Sequence, residues 1–192
     1  DDLIRLIHDN PQICNYIDIP IQHISDNMLK LMRRSYGRGE AEEILYRLRD
    51  QLPDAVIRTT LIAGHPGETE NDYIELRRFI REFRFDRLGV FAYSHEEDTY
   101  SYLNYNDDIP DHVKESRVSE LMEIQQAISA EKNELLKGKI LKVLIDRKEG
   151  DYFCGRTEYD SPEVDQEVLI PVQYDLIPGN FYNIQIIQSA EF

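Results

Sequence analysis

The first 137 residues alternate between two patterns of hydrophobic positions. One pattern places apolar side chains three or four residues apart, as in Tyr73, Leu76 and Ile80, and predicts an amphipathic helix. The other is a short run of apolar and β-branched residues, clearest over residues 55–62, and predicts a buried strand. Alternation of the two is typical of an α/β fold in which helices cover a parallel sheet.

Capping and helix-breaking residues between these runs predict the element boundaries. Ser25 is a candidate N-cap, and Thr69 with Asp72 three residues later has the spacing of a capping box. Pro53 ends one helix, and Gly138 ends the last. The resulting prediction is strands over residues 16–21, 55–62 and 86–93, with helices over residues 3–7, 27–34, 40–52, 69–83 and 111–137. Residues 94–109 are predicted to form an acidic, tyrosine-rich loop.

The pattern changes after residue 137. Four short apolar runs, over residues 140–145, 152–156, 167–172 and 181–187, are separated by turn sequences. Strands at this spacing predict a small antiparallel β-barrel. The sequence therefore predicts two domains, 1–137 and 138–192.

Composition and charge narrow the class of protein. The chain has 192 residues, 41% of them hydrophobic, which is enough for a folded core. Its formal charge of -15 is shared by both predicted domains and opposes general binding of nucleic acid. No apolar run of about 18 residues and no signal-peptide pattern occurs, so we expect a cytoplasmic protein that does not bind a membrane. The two cysteines are too far apart in sequence for a metal or redox motif. The first residue is Asp rather than Met, and the chain stops straight after a strand-like run without a turn, so we expect a fragment of a longer protein.

Polar residues follow all three predicted strands, at the sheet edge where α/β proteins bind ligands. Gln22, His23, Ser25 and Asp26 follow the first strand, although a lone histidine in such a loop is more often structural. Residues 62–69 follow the second strand and contain glycines that let a ligand approach the backbone, or that serve a turn alone.

Two further features carry open alternatives. Arg58 lies within an apolar strand, where its guanidinium needs a partner: a ligand carboxylate, a buried acid such as Glu68, or another structural ion pair. His95 stands among acids in residues 94–99, where it could bind a metal or transfer protons, although a solvated acidic loop is the simpler interpretation.

Four ordered motifs resemble the radical S-adenosylmethionine (SAM) methylthiotransferases. The first, residues 16–34, begins Tyr-Ile-Asp-Ile-Pro-Ile-Gln-His, and the second, residues 58–70, is Arg-Thr-Thr-Leu-Ile-Ala-Gly-His-Pro-Gly-Glu-Thr-Glu. The third, residues 85–97, resembles the RimO branch, whose members modify a ribosomal protein. The fourth, residues 155–165, resembles the TRAM domain of that branch. This resemblance implies part of a radical SAM (βα) barrel followed by an OB-like TRAM barrel.

The resemblance also implies a reaction and its cofactors. Enzymes of this branch add a methylthio group to the β-carbon of an aspartate in a small-subunit ribosomal protein. They use SAM and two iron-sulfur clusters, one of which is held by a CxxxCxxC motif. This sequence has no such motif, so we expect the fragment to hold no cluster and to be inactive alone.

Six residues are implied to contact the cofactor: Gln22, Ser25, Arg58, Ile62, Gly64 and Gly67. Gln22 and Ser25 would contact the amino-acid portion of the cofactor or the substrate, and Arg58 would meet the SAM carboxylate. Ile62, Gly64 and Gly67 would lie in the adenine-contacting GxIxGxxE pattern. The sequence departs from this pattern at Thr60, where the pattern has glycine, and at Glu68, where the acid is shifted. Residues 33–39 are unusual for the family and receive no role.

Two alternatives remain beside the ribosomal-protein substrate. One is the sister branch, which methylthiolates transfer RNA. A basic TRAM surface would suit that substrate better than the net charge of -5 that residues 138–192 carry. The other is a non-catalytic RNA-binding module that stacks bases on Tyr152, Phe153 or Tyr159, although aromatic residues in a small barrel are more often core.

Overall fold

The computed structural model describes residues 2–190 and contains two sheets. The helices are α1 Asp2–Asp9, α2 Asp26–Leu31, α3 Arg38–Gln51, α4 Glu70–Phe83, α5 Tyr100–Asn104 and α6 Asp111–Glu134. The strands are β1 Tyr16–Asp18, β2 Val56–Ala63, β3 Arg87–Ala92, β4 Ile140–Glu149, β5 Tyr152–Arg156, β6 Val168–Pro171 and β7 Phe181–Gln185. Within residues 2–190, no helix is long and apolar enough to cross a membrane.

The first sheet is parallel, in the order β1-β2-β3, with helices between its strands. Every second residue of β2 is buried, including Ile57, Leu61 and Ala63. Leu76 and Ile80 of α4 pack on this face and are fully buried. Burial of each such side chain contributes about 2 kcal/mol, so the helix-covered face stabilises the sheet.

The second sheet is antiparallel, in the order β6-β5-β4-β7, and forms a curled half-barrel. Val143, Ile145, Phe153 and Ile170 form its own buried cluster, separate from the core of the first sheet. The predicted α/β fold followed by a small antiparallel β domain is confirmed.

Several predicted boundaries were wrong for identifiable reasons. The first strand was predicted to run to residue 21 but ends at Asp18, because Pro20 has no N–H for the ladder and pairing resumes only in the single bridge Gln22–Leu61. The helix after Ser25 stops at Leu31, and Arg33 has a left-handed φ of 57°. Residues 94–109 are not wholly a loop, since Thr99 caps the short helix α5.

Candidate functional site

One face of the parallel sheet is not covered by helices. Arg58, Thr60 and Ile62 point to this face, opposite to the buried residues of β2. Gly89 and Phe91 of β3 share it, because a Cβ on Gly89 would stand 3.3 Å from the Phe91 ring and 3.7 Å from Arg58 Nη2. We call these five residues the open face.

The carboxyl end of the open face is apolar and accessible. Ile62 pairs in register with Phe91, whose side chain is 58% exposed. Gln22 lies beside this end with a φ of 66°, and its carbonyl accepts a hydrogen bond from Ile62 N–H at 2.9 Å. An exposed aromatic ring beside an aliphatic side chain is a surface on which a planar base can stack. Phe91 was missed by sequence analysis, although its strand alternation with Leu88 and Val90 places it on this face.

The amino end of the open face is occupied by ion pairs with the second domain. Arg58 Nη1 lies 2.8 Å from Asp18, and its Nε lies 3.6 Å from Asp165, which is 4% exposed. Tyr16 donates a hydrogen bond of 2.6 Å to Asp165. Burial, together with this carboxylate, raises the pKa of Tyr16. The sequence left three kinds of partner open for Arg58. The structure pairs it with carboxylates of this protein, Asp18 and Asp165, and not with Glu68.

A second pair strengthens the same contact. Arg87, the first residue of β3, reaches Asp160 at 2.5 Å. Their side chains are 12% and 7% exposed. Asp160 also accepts a 2.6 Å hydrogen bond from the Thr157 hydroxyl. Residues 157–165 therefore close the amino end of the open face, and we call them the domain-contact loop.

The turn after β2 is built around two glycines with positive φ. Gly64 has a φ of 80°, and a Cβ there would lie 2.3 Å from Lys114 Cγ. Gly67 has a φ of 82°, and a Cβ there would meet Leu31 at 2.9 Å. The space over each glycine is therefore filled by a side chain of this protein. The sequence predicts that a ligand approaches Gly64 and Gly67 closely, but Lys114 and Leu31 leave no open space at their Cβ positions.

Glu68, which is buried, holds this turn through its side chain. Its carboxylate accepts the Gly64 N–H and faces Arg117 at 3.5 Å and His23 Nε2 at 3.8 Å. The Nδ1 of His23 accepts the Ser25 N–H at 3.0 Å, which leaves the proton of a neutral ring on Nε2, facing Glu68. His23 and Glu68 are buried, so this cluster holds the turn rather than contacting solvent.

Ser25 is the N-cap of α2, as predicted. Its hydroxyl accepts the Met28 N–H at 3.5 Å and donates to Asp72, and the residue is 2% exposed. Burial by itself raises the pKa of Asp72, but hydrogen bonds from Ser25, Thr69 and Asn27 bring it below its ordinary value. The structure thus places Ser25 between α2 and α4, whereas Gln22 and Ile62 lie together at the open face.

A cationic cavity lies on the connection from α2 to α3. Its volume is about 490 Å³, and Lys30, Arg33 and Arg34 line it together with one acid, Asp26, whose carboxylate accepts the Arg38 N–H. Tyr36, which also lines it, donates a hydrogen bond of 3.2 Å to the carbonyl of Ile21, next to Gln22. Lys30 and Arg34 form no side-chain ion pair within residues 2–190. Three cations within five residues, 30–34, of a chain with a charge of -15 are a sequence signal for this cavity.

The remaining candidates of the sequence have structural surroundings. His95 contacts the Tyr93 hydroxyl at 2.9 Å and the Tyr102 ring at 4.7 Å. In the described part of the chain, no group of three or more His, Cys, Asp or Glu side chains is placed to hold a metal ion. Phe153 is core, whereas Tyr152 is 46% exposed.

Comparisons with known proteins match both domains. The family model of the radical SAM superfamily matches residues 1–80, and that of the TRAM domain matches residues 138–192. The ribosomal protein uS12 methylthiotransferase RimO of Parabacteroides distasonis is 49% identical over 191 residues, and RimO of Bacteroides thetaiotaomicron is 51% identical over 192. Both matches cover 100% of this chain. The chain belongs to the RimO branch of the radical SAM methylthiotransferases. It spans 44% of the length of these two relatives.

A solved structure agrees in fold with this family. Coproporphyrinogen III oxidase (HemN) of Escherichia coli, a radical SAM enzyme, matches with a TM-score of 0.50 over 82% of this chain and 43% of its own. The sequence identity is 15%, so this likeness concerns the fold alone. The family and the fold class predicted from the sequence are confirmed. The six cofactor-contacting residues stay predictions.

Proposed function

We propose that this chain supplies the second part of the SAM site and the TRAM domain of an enzyme that methylthiolates the β-carbon of an aspartate in ribosomal protein uS12. The observation that carries the proposal is identity of about half of all residues to RimO proteins across the whole chain. The domain division at residues 137 and 138 and a cytoplasmic location, where ribosomes are modified, belong to the same proposal.

The residues at the carboxyl end of the open face fit SAM. Ile62 and Phe91 offer an exposed apolar surface for adenine, and Gln22 offers an amide beside it. Arg58 is already engaged by two carboxylates, so we assign the SAM carboxylate to the cationic cavity, through Arg33 or Arg34. When bound in the parent enzyme and reduced by one electron from the iron-sulfur cluster held outside this chain, the cofactor would release methionine and supply the 5'-deoxyadenosyl radical that abstracts hydrogen from the substrate.

The chain's own residues would bind and orient this cofactor. Glu68 holds the Gly64 N–H and thereby fixes the turn at the end of β2, next to Ile62. The domain-contact loop would exclude water from the amino end of the open face, where Arg58 is 15% exposed. In our proposal, Ser25 positions α2 beside the cofactor, and Gly64 and Gly67 position the turn after β2.

The residues do not fit an iron-sulfur cluster. Cys14 is exposed near β1, whereas Cys154 is buried in the second domain. A cluster with several thiolate ligands needs cysteines that meet in space. We therefore expect this 192-residue chain to have no turnover by itself, and an iron-loaded, active anaerobic preparation would overturn that expectation.

Calorimetry with SAM tests the cofactor site. We expect Phe91→Ala and Arg34→Gln each to weaken binding about tenfold, which corresponds to the loss of one stacking or charge-assisted contact. The control Arg78→Gln removes a cation that is 75% exposed on α4 and should leave binding unchanged. Equal affinities for the wild type and both site variants would refute the assignment.

Calorimetry with macromolecules tests the substrate class. We expect the chain to bind purified uS12 at two salt concentrations and to leave a transfer-RNA anticodon stem-loop unbound, because both domains are acidic. Binding of the stem-loop alone would move the assignment to the transfer-RNA branch.

A further inference from the structure

Residues 94–108 form a negatively charged segment at the carboxyl end of the parallel sheet, directly after β3. They contain five carboxylates, three tyrosines, and no lysine or arginine. We call this segment the acidic rim. It includes helix α5 and therefore has a defined structure.

The acidic rim is held in place from two sides. His65, which follows β2, contacts the Ser101 hydroxyl at 2.9 Å. Arg33 stacks over the Tyr100 ring at 4.4 Å. These contacts tie the segment to the turn after β2 and to the cationic cavity, beside the proposed cofactor site.

The outer side of the acidic rim is exposed. Helix α5 contains no buried residue, and Leu103 is 69% exposed. Tyr100 and Tyr102 are 44% and 40% exposed. Glu97, Asp98 and Asp108 are exposed and form no ion pair within residues 2–190. An exposed apolar helix face flanked by free carboxylates marks an interaction surface rather than a stabilised part of the core.

The chemistry of this surface selects one kind of partner. Free carboxylates repel the phosphates of RNA and attract lysine and arginine. Exposed tyrosine and leucine can in addition pack against the aliphatic stems of those side chains and bind arginine by cation-π contacts. A ribosomal protein lies against RNA and must carry such cations to neutralise phosphates.

From this complementarity, we propose that the acidic rim docks a lysine- and arginine-containing segment of the protein substrate. The proposal rests on the proposed function for the identity of that substrate, uS12. It adds the surface that holds the substrate beside the cofactor site. The rim would thereby orient the modified aspartate, which is itself acidic, through its basic neighbours.

The test compares two sets of charge changes of equal size. The rim variant is Glu97→Gln with Asp98→Asn and Asp108→Asn; Asn tolerates the φ of 63° at position 98. The control is Glu115→Gln with Asp151→Asn and Asp175→Asn, three exposed acids outside the rim that form no ion pair in the described chain. Each chain is titrated by calorimetry with uS12 and with a deca-arginine peptide, at low and at high salt.

We expect the rim variant to bind uS12 about tenfold more weakly at low salt, with a smaller difference at high salt, and the control to change less than about twofold. Equal loss in both variants, or no loss in the rim variant, would overturn the docking surface while leaving the proposed function in place. Rim-dependent binding of the peptide without binding of uS12 would support the surface and refute the substrate.

Discussion

The ion pair between Arg87 and Asp160 gives the sharpest test of how the two domains are joined. Both side chains are nearly buried, and the pair connects β3 to the domain-contact loop. Replacing Arg87 by methionine keeps the length of the side chain but leaves Asp160 without its cation. Removal of one partner of a buried pair costs about 3 kcal/mol, because the remaining charge stays desolvated.

This free energy can be read from urea unfolding followed by far-ultraviolet circular dichroism. With a slope of about 3 kcal/mol per molar urea, Arg87→Met should lower the midpoint by about 1 M. The double variant with Asp160→Asn should be less destabilised than the sum of the single variants, because it leaves no unpaired buried charge.

A matched control separates this effect from the loss of any arginine. Arg78 pairs with Glu82 on α4, but the side chains are 75% and 45% exposed. Arg78→Met should therefore leave the urea midpoint nearly unchanged. Equal midpoints for Arg87→Met and Arg78→Met, or strict additivity in the double variant, would refute the argument that this contact stabilises the chain.

Three further predictions concern single side chains. Gly64→Ala should cost about 3 kcal/mol in urea unfolding, from its positive φ and the contact with Lys114, whereas Gly179→Ala has a φ of 86° but open space and should cost about half as much. Ser25→Ala should cost about 2 kcal/mol through the lost cap and the lost bond to Asp72, and a cost below about 0.5 kcal/mol would contradict this role. Burial by itself raises the pKa of Asp86, but contacts with the Ile57 N–H, Lys132 and Arg49 outweigh burial and bring the pKa below its ordinary value. The contribution of Asp86 to folding stability is therefore present above about pH 4 and is lost as pH falls through the folded pKa. Asp86→Asn should lower the urea midpoint at pH 7 and flatten its decline in acid, and an unchanged acid slope would contradict the linkage.

Local pattern was sufficient for the elements but not for the partners of charged residues. Strand β2 and helix α4 are specified by β-branched runs and by Thr69 with Asp72, and these signals lie within a few residues of each other in sequence. Arg58 pairs with Asp18 on the neighbouring strand β1 and also with Asp165, which lies 107 residues away in another domain. Such a pair depends on how two folded domains meet, and this is not encoded in spacing along one strand.

The same limit explains the two glycines of the turn after β2. Their type indicates a special backbone conformation, and both have a positive φ. What fills the space beside them, Lys114 and Leu31, comes from α6 and from the end of α2. A sequence can indicate that a side chain is missing at such a position, but the fold determines whether a ligand or the protein uses the room.

The two ends of the open face differ in a way that bears on function. At the amino end, Arg58 and Arg87 are neutralised by Asp160 and Asp165, so their charges are not available to a ligand. At the carboxyl end, Arg34 has no acidic partner in the described chain, and Phe91 is exposed. Arg34 has no such partner although the chain has a net charge of -15, and it lines the cavity from which Tyr36 reaches the carbonyl of Ile21, next to Gln22 at this end of the open face. An anionic group joined to a planar ring would satisfy both, and SAM combines a carboxylate with adenine. This asymmetry supports our proposal that the cofactor binds at the carboxyl end, while the domain-contact loop closes the amino end.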